Sequence, residues 1–191
     1  MRAVLMNSFR LLLSSHFVRL SRDQRGVSAV EFAMLLPLMI TLYLGVVEIS
    51  QAVGIDRKVT LTTRTVADLA SQGKTINNND MKNLLDASAA VIAPYENAPL
   101  KVTVSRVDID ANGTGTVVWT DTRGGSAVHA PNDIVTVPAA LKTANTATSL
   151  IWGEVSYTYK PAIGYVVTGT LNLSDQIYMA PRLSNVVTRT P

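Results

Sequence analysis

The chain of 191 residues carries 17 Lys or Arg against 14 Asp or Glu, a formal +3, with 47% apolar residues and no cysteine. That is length for one domain plus an appendage and enough apolar content for a core, which excludes collagenous, coiled-coil and disordered classes. The missing cysteines exclude a disulfide scaffold, a thiol enzyme and a Cys-ligated zinc site.

The positive charge is concentrated at one end. Met1 to Gly26 holds five arginines against Asp23, or +4, whereas Val27 onward holds 12 basic and 13 acidic residues, or −1. A basic nucleic-acid-binding face is therefore not expected on the folded part. Residues 1–26 read as a basic leader on the cytoplasmic side of a membrane.

Val27 to Val47 follows, 21 residues whose single charge is Glu31. At a rise of about 1.5 Å per residue it extends roughly 31 Å, the thickness of a hydrocarbon core. The sequence predicts a membrane-spanning helix over 27–48. The arginines before it keep the N-terminus cytoplasmic and send 49–191 across as an extracytoplasmic domain. A cleavable secretory signal fits poorly, because the basic part runs to residue 26 and no A-x-A-like site follows the apolar run.

Glu31 lies inside this run, where an acid costs on the order of 2.5 to 3.5 kcal/mol at the bilayer centre and less near its edge. One reading has it reach out to water from the first turn. The other requires a cut between Gly26 and Val27, which makes Glu31 the fifth mature residue and lets it pair with an N-terminal amine of its own or a neighbouring copy. Pro37 removes a backbone donor and bends the helix, either for packing among similar helices or as a neutral feature of an anchor.

The segment RGVSAVEFAMLLPLMITLYLGVVEISQAV, residues 25 to 53, resembles the N-terminal segment of TadE-like proteins, pilin-like minor components of the tight-adherence (Flp-type, type IVb) pilus machinery. The resemblance rests on Gly26 before the apolar run, Val30-Glu31-Phe32, Pro37 and the second acid Glu48. It implies cleavage after Gly26 by a prepilin peptidase and gives Glu31 the recognition and assembly role of the fifth-position acid. It also implies other pilin-like and pilus-assembly proteins as partners, and an inner-membrane, single-pass location with the C-terminal part periplasmic. Phe32 stands where the major pilin carries Tyr, which, with the length of this chain, argues for a minor or assembly subunit. The rival reading is a single-pass module that binds an envelope component and uses 1–48 only as an anchor.

Residues 49 to 72 continue the helix on the spacing of Val59, Thr62, Thr63, Val66, Leu69 and Ala70, although VTLTTRTV also suits a strand. A second helix starts near Asp80, carries Met81, Leu84, Leu85, Val91 and Ile92 on one face, and ends at Pro94. From Leu100 the period becomes two. Lys101 to Val107 and Thr116 to Thr120 form a hairpin around Asn112-Gly113, Ile134 to Val137 is a shorter strand, and Leu150 to Tyr159 is another, with Val155, Tyr157 and Tyr159 on one side. The segment IYMAPRLSNVV is ambiguous. The expected fold is α+β: a long pilin-like helix, a short helix and a small antiparallel sheet of three to four strands.

Chemistry is sparse. Asp108-x-Asp110-x-Asn112-Gly113 is half of a calcium-loop pattern, but Trp119 stands where the complete loop needs Glu, so an ordinary polar turn is expected. Histidine is limited to His16, in the leader, and His129, expected as a solvated loop residue. No catalytic triad, metal cluster, cofactor loop or small-molecule substrate site is expected, and the protein reads as a non-enzyme.

Overall fold

The computed structural model describes residues 25–125, 128–142, 148–161, 163–164 and 167–191. The leader expected over 1–26 and His16 therefore lie almost entirely outside the described residues. By compactness the chain divides into residues 1–46 and 47–191.

Helix α1, Arg25–Ser71, is continuous through Pro37 and through the Thr-rich stretch that also suited a strand. From Glu48 onward it has one buried face. Ile55, Val59, Thr62, Thr63, Val66, Ala67 and Ala70 are all at most 2% exposed. The threonines stay in the helix because each hydroxyl donates to the carbonyl four residues back: Thr62 to Lys58 and Thr63 to Val59, both at 2.8 Å. The buried stripe contains Ala67 where spacing suggested Leu69, which is 40% exposed. The facing strand carries Gly153 there, where an added Cβ would sit 3.0 Å from the Ala67 methyl, so helix and strand approach closely at this point.

A two-residue strand β1 (Thr75–Ile76) leads into helix α2 (Asn78–Ile92). The helix cap is Asn77, whose side chain accepts from the Asp80 amide at 2.9 Å while Asp80 accepts from the Asn77 amide at 3.4 Å. This reciprocal pair satisfies two otherwise unbonded donors. The start thus lies slightly before Asp80, and Met81, Leu84, Leu85 and Ile92 are buried as expected, with Ser88 rather than Val91 completing the face.

Strands β2 (Leu100–Ile109), β3 (Gly115–Arg123), β4 (Ile134–Val135), β5 (Thr148–Tyr159) and β6 (Leu171–Met179) form one antiparallel sheet in the order β4-β3-β2-β5-β6. The sheet has five strands where three to four were expected. The additional one is β6, whose C-terminal residues Ile177 to Met179 open the ambiguous segment. A last strand, β7 (Thr188–Arg189), pairs in parallel with β1.

Both helices contribute to one core, in which Ile55, Val59, Val66, Met81, Leu84 and Ile92 meet Leu100, Val102, Val104, Ile151, Val155 and Tyr157. Val155, Tyr157 and Tyr159 share this face, as the alternation predicted. The opposite face carries a smaller cluster of Val107, Ile109, Val117, Val135, Val137 and Trp152. A bulge between Arg106 and Val107 breaks the β2–β3 register. It sends Val117 and Trp119, two residues apart, to different faces. Trp119 turns into the main core and donates its indole N–H to the Val187 carbonyl at 3.0 Å, fastening the C-terminal segment.

Candidate functional site

The residues singled out by the sequence lie on the first turns of α1. Every described residue from Gly26 to Ile40 is exposed, and the stretch is apolar on all sides: Val30 61%, Phe32 58%, Met34 76%, Leu38 57% and Leu42 61% exposed. An apolar surface of this size, with Glu31 as its one charge, marks a membrane or protein contact. Among the described residues, α1 is the one helix long and apolar enough to cross a membrane.

Gly26 and Val27 are both exposed on the first turn. Glu31 is exposed one turn further on, next to Phe32. Pro37 stands inside the helix, and Thr41 donates its hydroxyl to the Pro37 carbonyl at 2.8 Å. Proline removes one bond from the helix ladder, while this hydroxyl adds a second donor to a carbonyl one turn earlier.

The second acid of the segment has a different environment. Glu48 is 2% exposed, and its carboxylate accepts the Val167 amide at 2.9 Å. Nearby, the Tyr159 hydroxyl donates to the Gln51 side-chain carbonyl at 3.1 Å. Burial first, and then the negative charge of Glu48, push the Tyr159 phenol above its ordinary pKa.

The half calcium pattern folds as a turn. Both oxygens of Asp108 engage Arg106, at 2.8 and 2.5 Å, while Asp110 accepts the Asn112 and Thr114 amides at 2.9 and 2.7 Å. The Thr114 amide bond is the main reason the Asp110 carboxyl is held below its usual range. The Asn112 amide serves the turn, and among the described residues no three acidic or histidine side chains gather into a metal-binding group. Gly113 takes φ 82°, the left-handed conformation this turn requires.

His129 departs from expectation. Instead of standing in solvent, its ring stacks on Trp152 at 4.5 Å between centroids, and Trp152 stacks on Tyr178 at 5.2 Å. Its Nε2 lies 3.6 Å from a Glu154 carboxylate oxygen that has no hydrogen-bond partner among the described residues. Trp152 completes the cluster by donating to the Gln176 side-chain carbonyl at 3.2 Å. Burial raises the Glu154 carboxyl pKa, against the opposing pull of His129, and burial with the Glu154 charge pushes Tyr178 up to about 12. The sequence signal missed was strand parity: Trp152 and Glu154 alternate with Ile151, Val155 and Tyr157, so they face away from the main core and leave a second surface for the 128–137 segment to cover.

Residues 26–68, which are 43 of the 191, match the family model described as TadE-like protein. The match confirms the resemblance seen in residues 25 to 53 and extends it to the packed part of α1. No curated protein and no solved structure matches the chain. A TadE-like segment on an exposed apolar helix points to a membrane-anchored, pilus-associated protein.

Proposed function

We propose that this protein is a minor pilin or pilus-assembly subunit of a tight-adherence (Flp-type) system, anchored in the inner membrane through α1 with residues 49–191 on the periplasmic side. The observation that carries the reading is the exposed apolar start of α1, bearing Glu31 five positions after Gly26, within the TadE-like match. Its role is mechanical. A prepilin peptidase cuts between Gly26 and Val27, the apolar helix holds the subunit in the bilayer, and the same surface then packs against the helices of other pilin-like proteins.

Glu31 gives that packing a register. After the cut, an α-amine stands four residues before an acid, and both are too costly to leave unpaired in hydrocarbon. An amine of one subunit meeting the carboxylate of another neutralises two charges at once. Pro37 and the neighbouring Phe32 shape the surface on which that pairing occurs.

The mature N-terminus tests the reading. Mass spectrometry of membrane-extracted protein is expected to find Val27 first; an intact leader, or a cut elsewhere, contradicts processing. Glu31→Ala is expected to reduce pilus yield while membrane insertion stays the same, and unchanged yield contradicts the pairing role. Exchange of residues 27–47 for an unrelated spanning helix separates this from the anchor-only alternative, which predicts retained function.

A further inference from the structure

The face of the sheet turned away from the main core is polar over three neighbouring strands. On β5, Trp152, Glu154 and Ser156 alternate with core residues, and their cross-strand partners on β6 are Tyr178, Gln176 and Ser174. From the other side, Thr103 and Lys101 of β2 stand opposite Glu154 and Ser156. Residues directly opposite one another share a face, so these positions form one surface.

That surface holds a cleft of about 550 Å³, lined by Lys101, Thr103, Glu154, Ser156, Ser174 and Gln176, with Val128 as an apolar wall. Its size falls within the about 300 to 1,000 Å³ of small-ligand clefts. Asp175 borders it from the edge strand but belongs by parity to the opposite row, and its carboxylate accepts the Gln176 amide at 2.9 Å. The charges on the cleft's own face therefore balance, Lys101 against Glu154.

Glu154 is the residue that packing does not account for. Its side chain keeps 20% exposure, yet one carboxylate oxygen is sealed from water with no hydrogen-bond partner among the described residues. The His129 Nε2, at 3.6 Å, is past bonding range, and its ring is held by the stack on Trp152. A purely structural position would be better filled by an apolar side chain. Gln176 is also oriented: its side-chain carbonyl accepts the Trp152 indole at 3.2 Å, which leaves its amide NH2 for a ligand.

The cleft thus offers a carboxylate acceptor, amide and ammonium donors, and serine hydroxyls that act as either. Such a set matches adjacent hydroxyls on one ring, each of which both donates and accepts. Balanced charge suits a neutral ligand, and Val128 suits the C–H face of a sugar. We infer that this cleft is a saccharide site, taking a neutral pyranose whose hydroxyls bond Glu154, Gln176 and the paired serines. Every group named lies in residues 47–191, so the inference stands apart from the membrane reading of α1.

The test is saturation-transfer NMR on the full-length protein in a zwitterionic detergent that has no sugar headgroup. The probes are glucose, galactose, mannose, N-acetylglucosamine and N-acetylgalactosamine, with ethylammonium as a cationic comparison. At least one sugar is expected to bind saturably, and Glu154→Ala to weaken it about tenfold or more. Ser174→Val, at an exposed strand position, is expected to weaken it severalfold with unchanged melting, which keeps the test decisive if Glu154→Ala unfolds. Lys82→Met, on α2, is expected to change nothing. Absence of binding by all five sugars overturns the site, as does binding that both cleft variants leave intact. Binding of ethylammonium alone, lost in Glu154→Ala, makes the cleft a cation site and overturns the saccharide. None of these outcomes touches the cut after Gly26.

Discussion

The two halves of α1 differ in how their charged residues are placed, and they meet opposite fates. Residues 26–40 are exposed all round with Glu31 as their one charge, whereas from Glu48 to Ser71 the helix has a buried face and an outer face that carries Asp56, Arg57 and Arg64. Apolar content alone does not decide burial; what decides is whether the pattern leaves a polar face for water. The first half has no such face, so its surroundings must be lipid or other helices. The second half has one, so it can serve as the wall of a soluble core.

The largest effect that would break this contrast is a charge placed in each half. Val66→Asp puts an unpaired carboxylate at a fully buried position, and is expected to cost about 4 kcal/mol or more and to unfold the domain in denaturant titrations. Leu38→Asp is expected to leave the domain's melting unchanged and instead to penalise insertion by about 2.5 to 3.5 kcal/mol, read as loss from the membrane fraction. Equal loss of melting temperature in both variants would erase the distinction.

The two acids sharpen it further. Glu48→Ala takes the acceptor from the Val167 amide, and is expected to lower stability by about 1 to 3 kcal/mol. Glu31→Ala is expected to leave denaturant midpoints where they are. A smaller effect is confined to α2: Asn77→Ala removes the cap of that helix, for about 1 kcal/mol, measurable by chemical denaturation.

The smallest effect concerns pH. The folded Glu154 carboxyl has a raised pKa, through burial first. The native state therefore holds this proton more firmly than the unfolded chain. The stability it contributes is present below the ordinary glutamate range of about 4.3 and is lost as pH rises through the raised folded value. Glu154→Gln is expected to flatten that part of the stability profile, and His129→Asn to steepen it, because the histidine charge opposes the shift. Thermal melts between weakly acidic and neutral pH read both.

How much was legible follows the same physics. The hairpin was readable because Asn112-Gly113 specifies its turn, and α2 because its stripe repeats at three and four residues. Strand β6 was not, since Asp175 interrupts the inward row of Leu171, Leu173 and Ile177 on an edge where only one neighbour enforces alternation. The pairing of β1 with β7 joins Thr75 to Thr188, and no local pattern in two-residue strands encodes a partner so distant.

The apolar run, the basic residues before it, the position of Glu31 and the order of helices and strands were all legible in the chain itself, because they depend on composition and on periods a few residues long. That Glu48 is buried and accepts the Val167 amide emerges from the packing alone. The same is true of His129, which stacks on Trp152, and of Trp119, which bonds the Val187 carbonyl. Each of those outcomes depends on a neighbour tens of residues away, and local patterns carry no record of such neighbours.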